Sequence, residues 1–190
     1  MDISINSFPR SGSQFAKFNL DRIIGLNLGS TMYHDIVTKK PPSLFNISRD
    51  ENSFQIVIVR NPRDTVLSCV AHAEYSNPGS EKDITRAVRG TLAAYSRSLE
   101  HFLANIDYIE LYDFDQLEWA IFDIANRLGL NIPDDFILEK IPYYADPNFW
   151  SVANTDFYKK LLKYRLDEHL FDEATEKYRE ILKICKRPTL

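Results

Sequence analysis

Glycine is scarce in this chain, six in 190 residues. None stands in a G-x-x-x-x-G-K-[ST] string, so there is no Walker A loop, and the kinase and ATPase chemistry built on one is disfavoured. Cysteine is scarcer still. Cys69 and Cys185 stand alone, with no zinc spacing and no disulfide framework, the pattern of a reduced compartment. No apolar run approaches the ~18 residues of a membrane span, and no signal peptide precedes the first strand, so the expected location is cytoplasmic. Basic residues are outnumbered, 23 Lys and Arg against 27 Asp and Glu for a net charge of −4. That balance argues against a general nucleic-acid or anionic-membrane surface. Internal repeats, low-complexity tracts and a second-domain linker are also absent, and no metal is expected.

What is present begins at the amino end. Asp2 to Phe8 reads as a strand with Ile3 and Ile5 as its apolar positions, broken by Pro9. A helix follows, with Ser11 and Ser13 as candidate N-caps and Ala16, Leu20, Ile23 and Ile24 as its buried stripe. Between them lies Pro9-Arg10-Ser11-Gly12-Ser13-Gln14-Phe15, a loop with one glycine, two serines and one arginine. Free N–H groups and the helix dipole favour an anion there. Gly12 lets the backbone approach a ligand, the hydroxyls donate, and Arg10 supplies a planar charge. A plain strand-to-helix turn with a surface arginine is the structural alternative.

A second corner has the same form. Gln55 to Val59 is a β-branched run suited to a buried parallel strand, and it ends at Arg60-Asn61-Pro62-Arg63-Asp64. Asn61 is a good N-cap, Pro62 suits the first helical position, and Asp64 complements the dipole. Val66, Leu67, Val70 and Ala71 then form one helix face, with Asp64, Ser68 and His72 on another.

Together these residues resemble the 3′-phosphoadenosine 5′-phosphosulfate (PAPS)-dependent sulfotransferases. The family's 5′-phosphosulfate loop, P-K/R-S-G-T-T-W, is similar to Pro9 through Phe15, and its 3′-phosphate motif, R-N-P-x-D-x-x-x-S, fits Arg60 through Ser68 at every specified position. Ile109 to Asp113 and the helix ending Ala125-Asn126-Arg127-Leu128-Gly129 resemble a later strand and helix of the family. The resemblance covers about residues 1–130. It implies that Arg10 contacts the 5′-phosphosulfate and stabilises charge as the sulfuryl group leaves, that Ser11, Gly12, Ser13 and Gln14 surround that phosphate, and that Arg60 and Ser68 hold the 3′-phosphate. Phe15 stands at the family's tryptophan, where an aromatic lies against adenine; a core position on the first helix is its other reading. Arg63 reads chiefly as a solvated charge.

The acceptor side departs from the family. Relatives with a histidine base carry K-T-H-x-P, and the corresponding stretch here runs from His34 to Pro42 with Lys40 at the histidine's place. Lys39 or Lys40 can bind sulfate as a cation, and a lysine acts as a base only if burial lowers its pKa. His34, near the start of its predicted strand, is an alternative, and His72, beside Ser68 on its helix, points more plausibly toward the site. Catalytic candidates are therefore Arg10, Lys40 and His72. The family's R-K-G-x-x-G-D-W loop is matched only by a tryptophan at Trp150, with Lys186 and Arg187 as candidate replacement cations.

The remaining segments read as scaffold. Ile84, Val88, Thr91, Leu92, Tyr95, Leu99 and Phe102 mark a long amphipathic helix, Phe114, Leu117, Ile121, Ile124 and Leu128 another ending at Gly129, and two helices finish the chain, one carrying Phe157, Leu161 and Tyr164 and one Leu170, Ala174, Tyr178, Ile181 and Cys185. Residues 132–150 either line an acceptor pocket or pack as a surface loop, and residues 75–82 form a lid-like loop. Strands at 2–8, 32–38, 55–59 and 107–112, alternating mostly with helices, predict a three-layer α/β/α domain with a mainly parallel sheet of four or five strands. The resemblance adds a P-loop-like sulfotransferase fold and the strand order 2-3-1-4. One domain is expected over 1–190, with a nucleotide-binding core at 1–130 and an acceptor-side loop and helices at 131–190. The expected activity is sulfuryl transfer from PAPS to a hydroxyl or amine of a small-molecule or saccharide acceptor, leaving 3′,5′-diphosphoadenosine. The alternatives are a non-catalytic binder of that nucleotide and a nucleotide or small-molecule kinase.

Overall fold

The computed structural model describes residues 2–8, 12–28, 37–40, 47–50, 52–72, 81–140, 161 and 166–188. They belong to two compact units: Met1–Val59 with Asn105–Ile141 and Ile184–Leu190, and Arg60–Ala104 with Pro142–Lys183.

The first unit is an α/β assembly on a parallel sheet. Its strands are β1 (Asp2–Asn6), β2 (Val37–Lys40), β3 (Ser53–Val59) and β4 (Glu110–Asp113), in the order β2-β1-β3-β4. Every pairing is parallel, with Ile3 opposite both Val37 and Phe54, and Val57 opposite Leu111. The implied order 2-3-1-4 is therefore corrected. β1 bonds β2 and β3 at once, and β3 bonds β1 and β4, so β1 and β3 occupy the two inner places. The near-continuous apolar run of β3 suits an inner position, and the short Glu-Leu-Tyr-Asp strand takes an edge. β1 and β3 remain neighbours, as expected.

Strand bounds shift for local reasons. β1 stops at Asn6 because the next rung is made by a side chain, with the Ile58 amide donating to Ser7 Oγ at 2.9 Å. β4 starts at Glu110 because Ile106–Tyr108 is a 3₁₀ turn, closed by the Tyr108 amide on the Asn105 carbonyl at 3.0 Å. β2 is described only from Val37; residues 32–36 of the predicted strand lie outside the described residues.

Two helices pack on this sheet, α1 (Ser13–Asn27) and, further along the chain, a helix over Leu117–Arg127. Ile3, Ile5, Ile56, Ile58 and Tyr112 from the strands meet Ala16, Leu20 and Ile23 from α1 and Ala120, Ile121 and Ile124 from the later helix. The opposite face of β1, Ser4 and Asn6, is polar yet wholly buried. The Leu117–Arg127 helix ends as its glycine predicts. Gly129 has φ of 69°, the Gly129 amide bonds the Asn126 carbonyl, and the Leu130 amide reaches back to the Ala125 carbonyl, a Schellman closure. After Ile184 the chain returns to the sheet, where Lys186 forms a parallel bridge with Tyr112 and its amide donates to the Leu111 carbonyl at 2.8 Å.

The second unit holds α2 (Pro62–His72) and α3 (Glu81–Leu103), which pack together. The Leu117–Arg127 helix is thus α4, and α5 is Asp172–Ile184, which buries Ala174, Tyr178 and Ile181 of the predicted stripe, while Leu170 and Cys185 lie just outside its ends. Residues 81 and 82 of the predicted lid loop open α3, and 75–80 lie outside the described residues, as do Phe157 and Tyr164. Of the predicted α3 stripe, Val88, Leu92, Tyr95, Leu99 and Phe102 are buried at 8% exposure or less, while Ile84 and Thr91 are half-buried. Gly90 interrupts that helix on its exposed face, and nothing lies within 4 Å of a Cβ built there. Gly90→Ala is accordingly expected to raise stability by ~0.5–1 kcal/mol through the backbone entropy of the unfolded chain. A lower unfolding midpoint for that variant would contradict the exposed-face placement.

Candidate functional site

The two helix starts singled out in the sequence are built differently. α1 is entered through Gly12, with φ of 80° and ψ of 2°, and no side chain caps it; its first turn carries no acidic residue. Ser13 does not serve as the cap expected of it. Gly12 is itself the N-cap, its carbonyl accepting from the Ala16 amide at 3.1 Å, while Ser13 is the first helical residue, only 2% exposed, and Ser11 lies outside the described residues. The positive end of the α1 dipole is thus uncompensated by its own turn, which favours an anion. α2 is conventionally capped. Asn61 Oδ1 accepts from the Arg63 and Asp64 amides at 3.0 and 3.4 Å, Pro62 is the first helical residue, and Asp64 sits in the first turn. Its helix start is already satisfied, so any anion binding there falls to side chains. Arg60 and Ser68 are both half-buried, and the buried Tyr95 hydroxyl donates to the Arg60 carbonyl, fixing the backbone at that arginine.

Gly12 is needed for packing as well as for φ. A Cβ there would lie 2.6 Å from Leu117 Cδ2 and 2.8 Å from the Phe114 ring. The loop's glycine therefore meets the turn that joins β4 to α4, a contact not visible in sequence. That turn, the 3₁₀ segment Phe114–Gln116, is opened by Asp113, whose side chain accepts from the Asp115 amide.

Beside it is a cavity of about 650 Å³ walled by Phe15, Phe114, Leu117 and Trp119, with Asp115, Gln116 and Glu118 as its polar members. The volume is that of an ordinary small-molecule site. Phe15 has the core role expected of it, packing against the α1–α4–sheet cluster, and it also lines the cavity. Gln14 is half-buried in the same turn. No cation lines the cavity, so among the described residues it suits a flat apolar group with hydrogen-bond donors better than a phosphate.

The other candidates are placed less completely. Lys40 ends β2 with its Cα opposite Asn6, the last residue of β1, at the carboxyl edge where open α/β sheets gather ligands. His72 is the last residue of α2. Arg10 and His34 lie outside the described residues, as does Trp150. Lys186 and Arg187 are exposed beside β4. Arg63 is exposed, as a solvated charge would be. Among the described residues no group of three or more His, Cys, Asp or Glu could hold a metal ion, and no helix is long and apolar enough to cross a membrane.

Several polar residues had no sequence signal of their own. Asn6 is fully buried, its Nδ2 donating to Ser4 Oγ at 3.4 Å and its Oδ1 accepting nothing. Asn19 and Asn27 each clip extended chain onto α1. Asn19 donates to the Glu139 carbonyl and accepts from its amide, and Asn27 does the same for Asn131, at 2.8–3.0 Å. Arg22 adds bonds to the Ile137 carbonyl and the Glu139 carboxylate, and its guanidinium lies 4.8 Å from the Phe136 ring centroid. The first half of the predicted 132–150 loop is therefore strapped to α1. Asn19→Ala should free the Glu139 amide, and we expect its hydrogen exchange to accelerate at least about tenfold, the loss of ~1.4 kcal/mol of local protection. Unchanged exchange would show that the clip does not hold the strap.

A further polar cluster joins β4 to α4. The Tyr112 hydroxyl lies 2.9 Å from Asp123 Oδ2 and 3.0 Å from Glu110 Oε2, and Glu110 is paired with Arg127. Burial, followed by the Asp123 hydrogen bond and the two negative charges, pushes the phenol well above its ordinary value. Cys185 is raised to about 12, first by burial and then by the Asp113 carboxylate, with Arg187 opposing. It is an inert thiol at neutral pH.

No protein-family model and no curated protein matches this chain.

Proposed function

We propose that this chain is a sulfotransferase that moves the sulfuryl group of PAPS to a hydroxyl or amine of a small-molecule or saccharide acceptor. The observation that carries the reading is the α1 entrance. A glycine at positive φ follows the carboxyl end of β1 and opens a helix that has neither a side-chain cap nor a first-turn acid, beside a cavity walled by aromatics. The reading extends to a three-layer α/β/α domain of four or five strands with a P-loop-like sulfotransferase fold over 1–190, to a cytoplasmic setting and to metal-free chemistry.

In this reading the acceptor oxygen or nitrogen attacks sulfur in line as the bond from sulfur to the bridging phosphate oxygen breaks. The acceptor's proton passes to a base, and 3′,5′-diphosphoadenosine leaves. Arg10 offsets charge on the departing phosphate, and the α1 amides with Ser13 and Gln14 hold it. Arg60 and Ser68 bind the 3′-phosphate, while Lys40 and His72 are the candidates for orienting or deprotonating the acceptor. Catalysis of this kind rests on positioning and charge stabilisation.

Calorimetric titration with 3′,5′-diphosphoadenosine, ATP and AMP tests the donor. Tight binding of the first alone is expected, and binding of ATP without it would end the reading. Arg60→Ala and Ser68→Ala are each expected to weaken the bisphosphate roughly 10–100-fold, the loss of a charge-assisted or strong hydrogen bond. Arg10→Ala should lower turnover of radiolabelled sulfate more than it lowers affinity, and equal turnover would remove its assigned role. Binding without transfer to any acceptor would support a non-catalytic nucleotide binder instead.

A further inference from the structure

We infer that two copies of this chain associate reversibly, the basic face of α3 in one copy resting on the acidic ridge of α5 in the other. Neither helix carries a residue assigned to the nucleotide, so the association stands apart from the sulfuryl-transfer reading.

Arg86, Arg89 and Arg97 fall on one side of α3 with Gly90 and Ala93 between them, and all five are exposed. The stripe runs about 16 Å along the helix. No acidic residue occurs in positions 84–99, and among the described residues none of the three guanidiniums has an ion-pair partner. Glu100, the carboxylate three positions after Arg97, is taken instead by Lys177 of α5 at 2.6 Å. Gly90 and Ala93 leave the backbone open between the arginines, so a second helix can approach closely.

The complementary surface lies in the same unit. Asp172, Glu173, Glu176 and Glu180 are exposed on α5, with Asp167 exposed just before it. Acids in the first turn answer the helix dipole, but Glu176 and Glu180 lie beyond that turn, at i and i+4 on one side. The bases among them are committed, Lys177 to Glu100 and Glu173, and Arg179 to Glu176. Where α3 and α5 pair within one chain, the acid is on α3 and the base on α5, which leaves the arginine stripe and the acidic ridge for another molecule. A two-fold axis uses each contact twice, every copy giving its stripe and receiving its partner's. The net charge of −4 favours this self-complementary pairing over a nucleic acid or other polyanion. Exposed ion pairs are individually weak and screened by salt, which makes the dimer reversible.

Sedimentation velocity of the full chain over a range of concentrations, at ~0.05 M and ~0.5 M salt, tests the pairing. Dimers are expected at the lower salt, with dissociation at least about tenfold easier at the higher. Arg86→Glu with Arg97→Glu should weaken the dimer at least about tenfold, and Glu176→Lys with Glu180→Lys should do the same. Mixing the two variants should restore it, because each reversed face then meets its opposite. A wild-type chain that stays monomeric at low salt overturns the inference without any variant, and so does a dimer strengthened by salt. A dimer that either folded variant leaves intact, or variants that do not restore each other, overturns it equally. Heparin binding by a monomer through these arginines would make the stripe a polyanion site and end the reading.

Discussion

Gly12→Ala is expected to destabilise the first unit by about 2–5 kcal/mol, combining ~1–2 kcal/mol for an L-residue held at positive φ with ~1–3 kcal/mol for overpacking. The backbone cost follows from φ of 80° at the helix entrance. The packing cost follows from Cβ contacts of 2.6–2.8 Å with Leu117 and Phe114, and Leu117 belongs to the buried core. Relief requires either the α1 entrance or the Phe114–Gln116 turn to move. Denaturant unfolding measures the loss, and Gly90→Ala is the internal control with the opposite expected sign. The variant should also lose affinity for 3′,5′-diphosphoadenosine, since the displaced elements are those that border both the helix start and the aromatic cavity. A Gly12→Ala protein as stable as wild type would mean that the entrance is not held as described.

Alkaline pH is expected to have an effect as large. Tyr112 and Cys185 are both raised in the folded state, the thiol from the ordinary 9.0 to about 12 and the phenol above 10.0. The native state therefore keeps protons that the unfolded chain releases. Their stabilisation is fully present below pH 9 and is lost as pH rises. Each group adds to the slope, so stability should fall by roughly 3 kcal/mol per pH unit between pH 10 and 12, where both act. Two such units remove much of the ~5–15 kcal/mol that holds an ordinary domain. Urea unfolding at pH 8, 9, 10 and 11 would show the onset. Cys185→Ala should flatten the curve from pH 9 upward. Tyr112→Phe should flatten it above 10, at a cost of ~1–3 kcal/mol at neutral pH because Glu110 and Asp123 lose their shared donor. A slope unaffected by either substitution would place the alkaline transition elsewhere.

How much of this was legible in the sequence depends on the range of the interaction. Asn61, Pro62 and Asp64 announce the start of α2, and Gly129 the end of α4, because capping is decided within four residues. The stripes of α1, α3, α4 and α5 follow from periodicity alone. Strand order was not legible: the apolar run at Gln55 to Val59 says that β3 is buried, but which strands flank it depends on pairings between distant segments. The candidate site divides in the same way. Gly12 reads as a permissive residue in an anion loop, whereas its contact with Phe114 and Leu117 joins positions about a hundred residues apart.

The placement of β1 inside the sheet also bears on how fast this chain can fold. Among the described residues no strand pair is joined by a hairpin. The rung between Ser7 and Ile58 spans 51 residues, and the bond from Gln55 to the Tyr108 carbonyl, beside the β3–β4 pairing, spans 53. Both seams of β3 thus require long loops to close before either is rewarded, while α1, α3 and α4 need only local contacts. Topologies of this kind fold on the slower side, in milliseconds to seconds rather than microseconds. During that interval the apolar edge of β3 waits unpaired, so refolding yield should fall as protein concentration rises even where the folded state is stable.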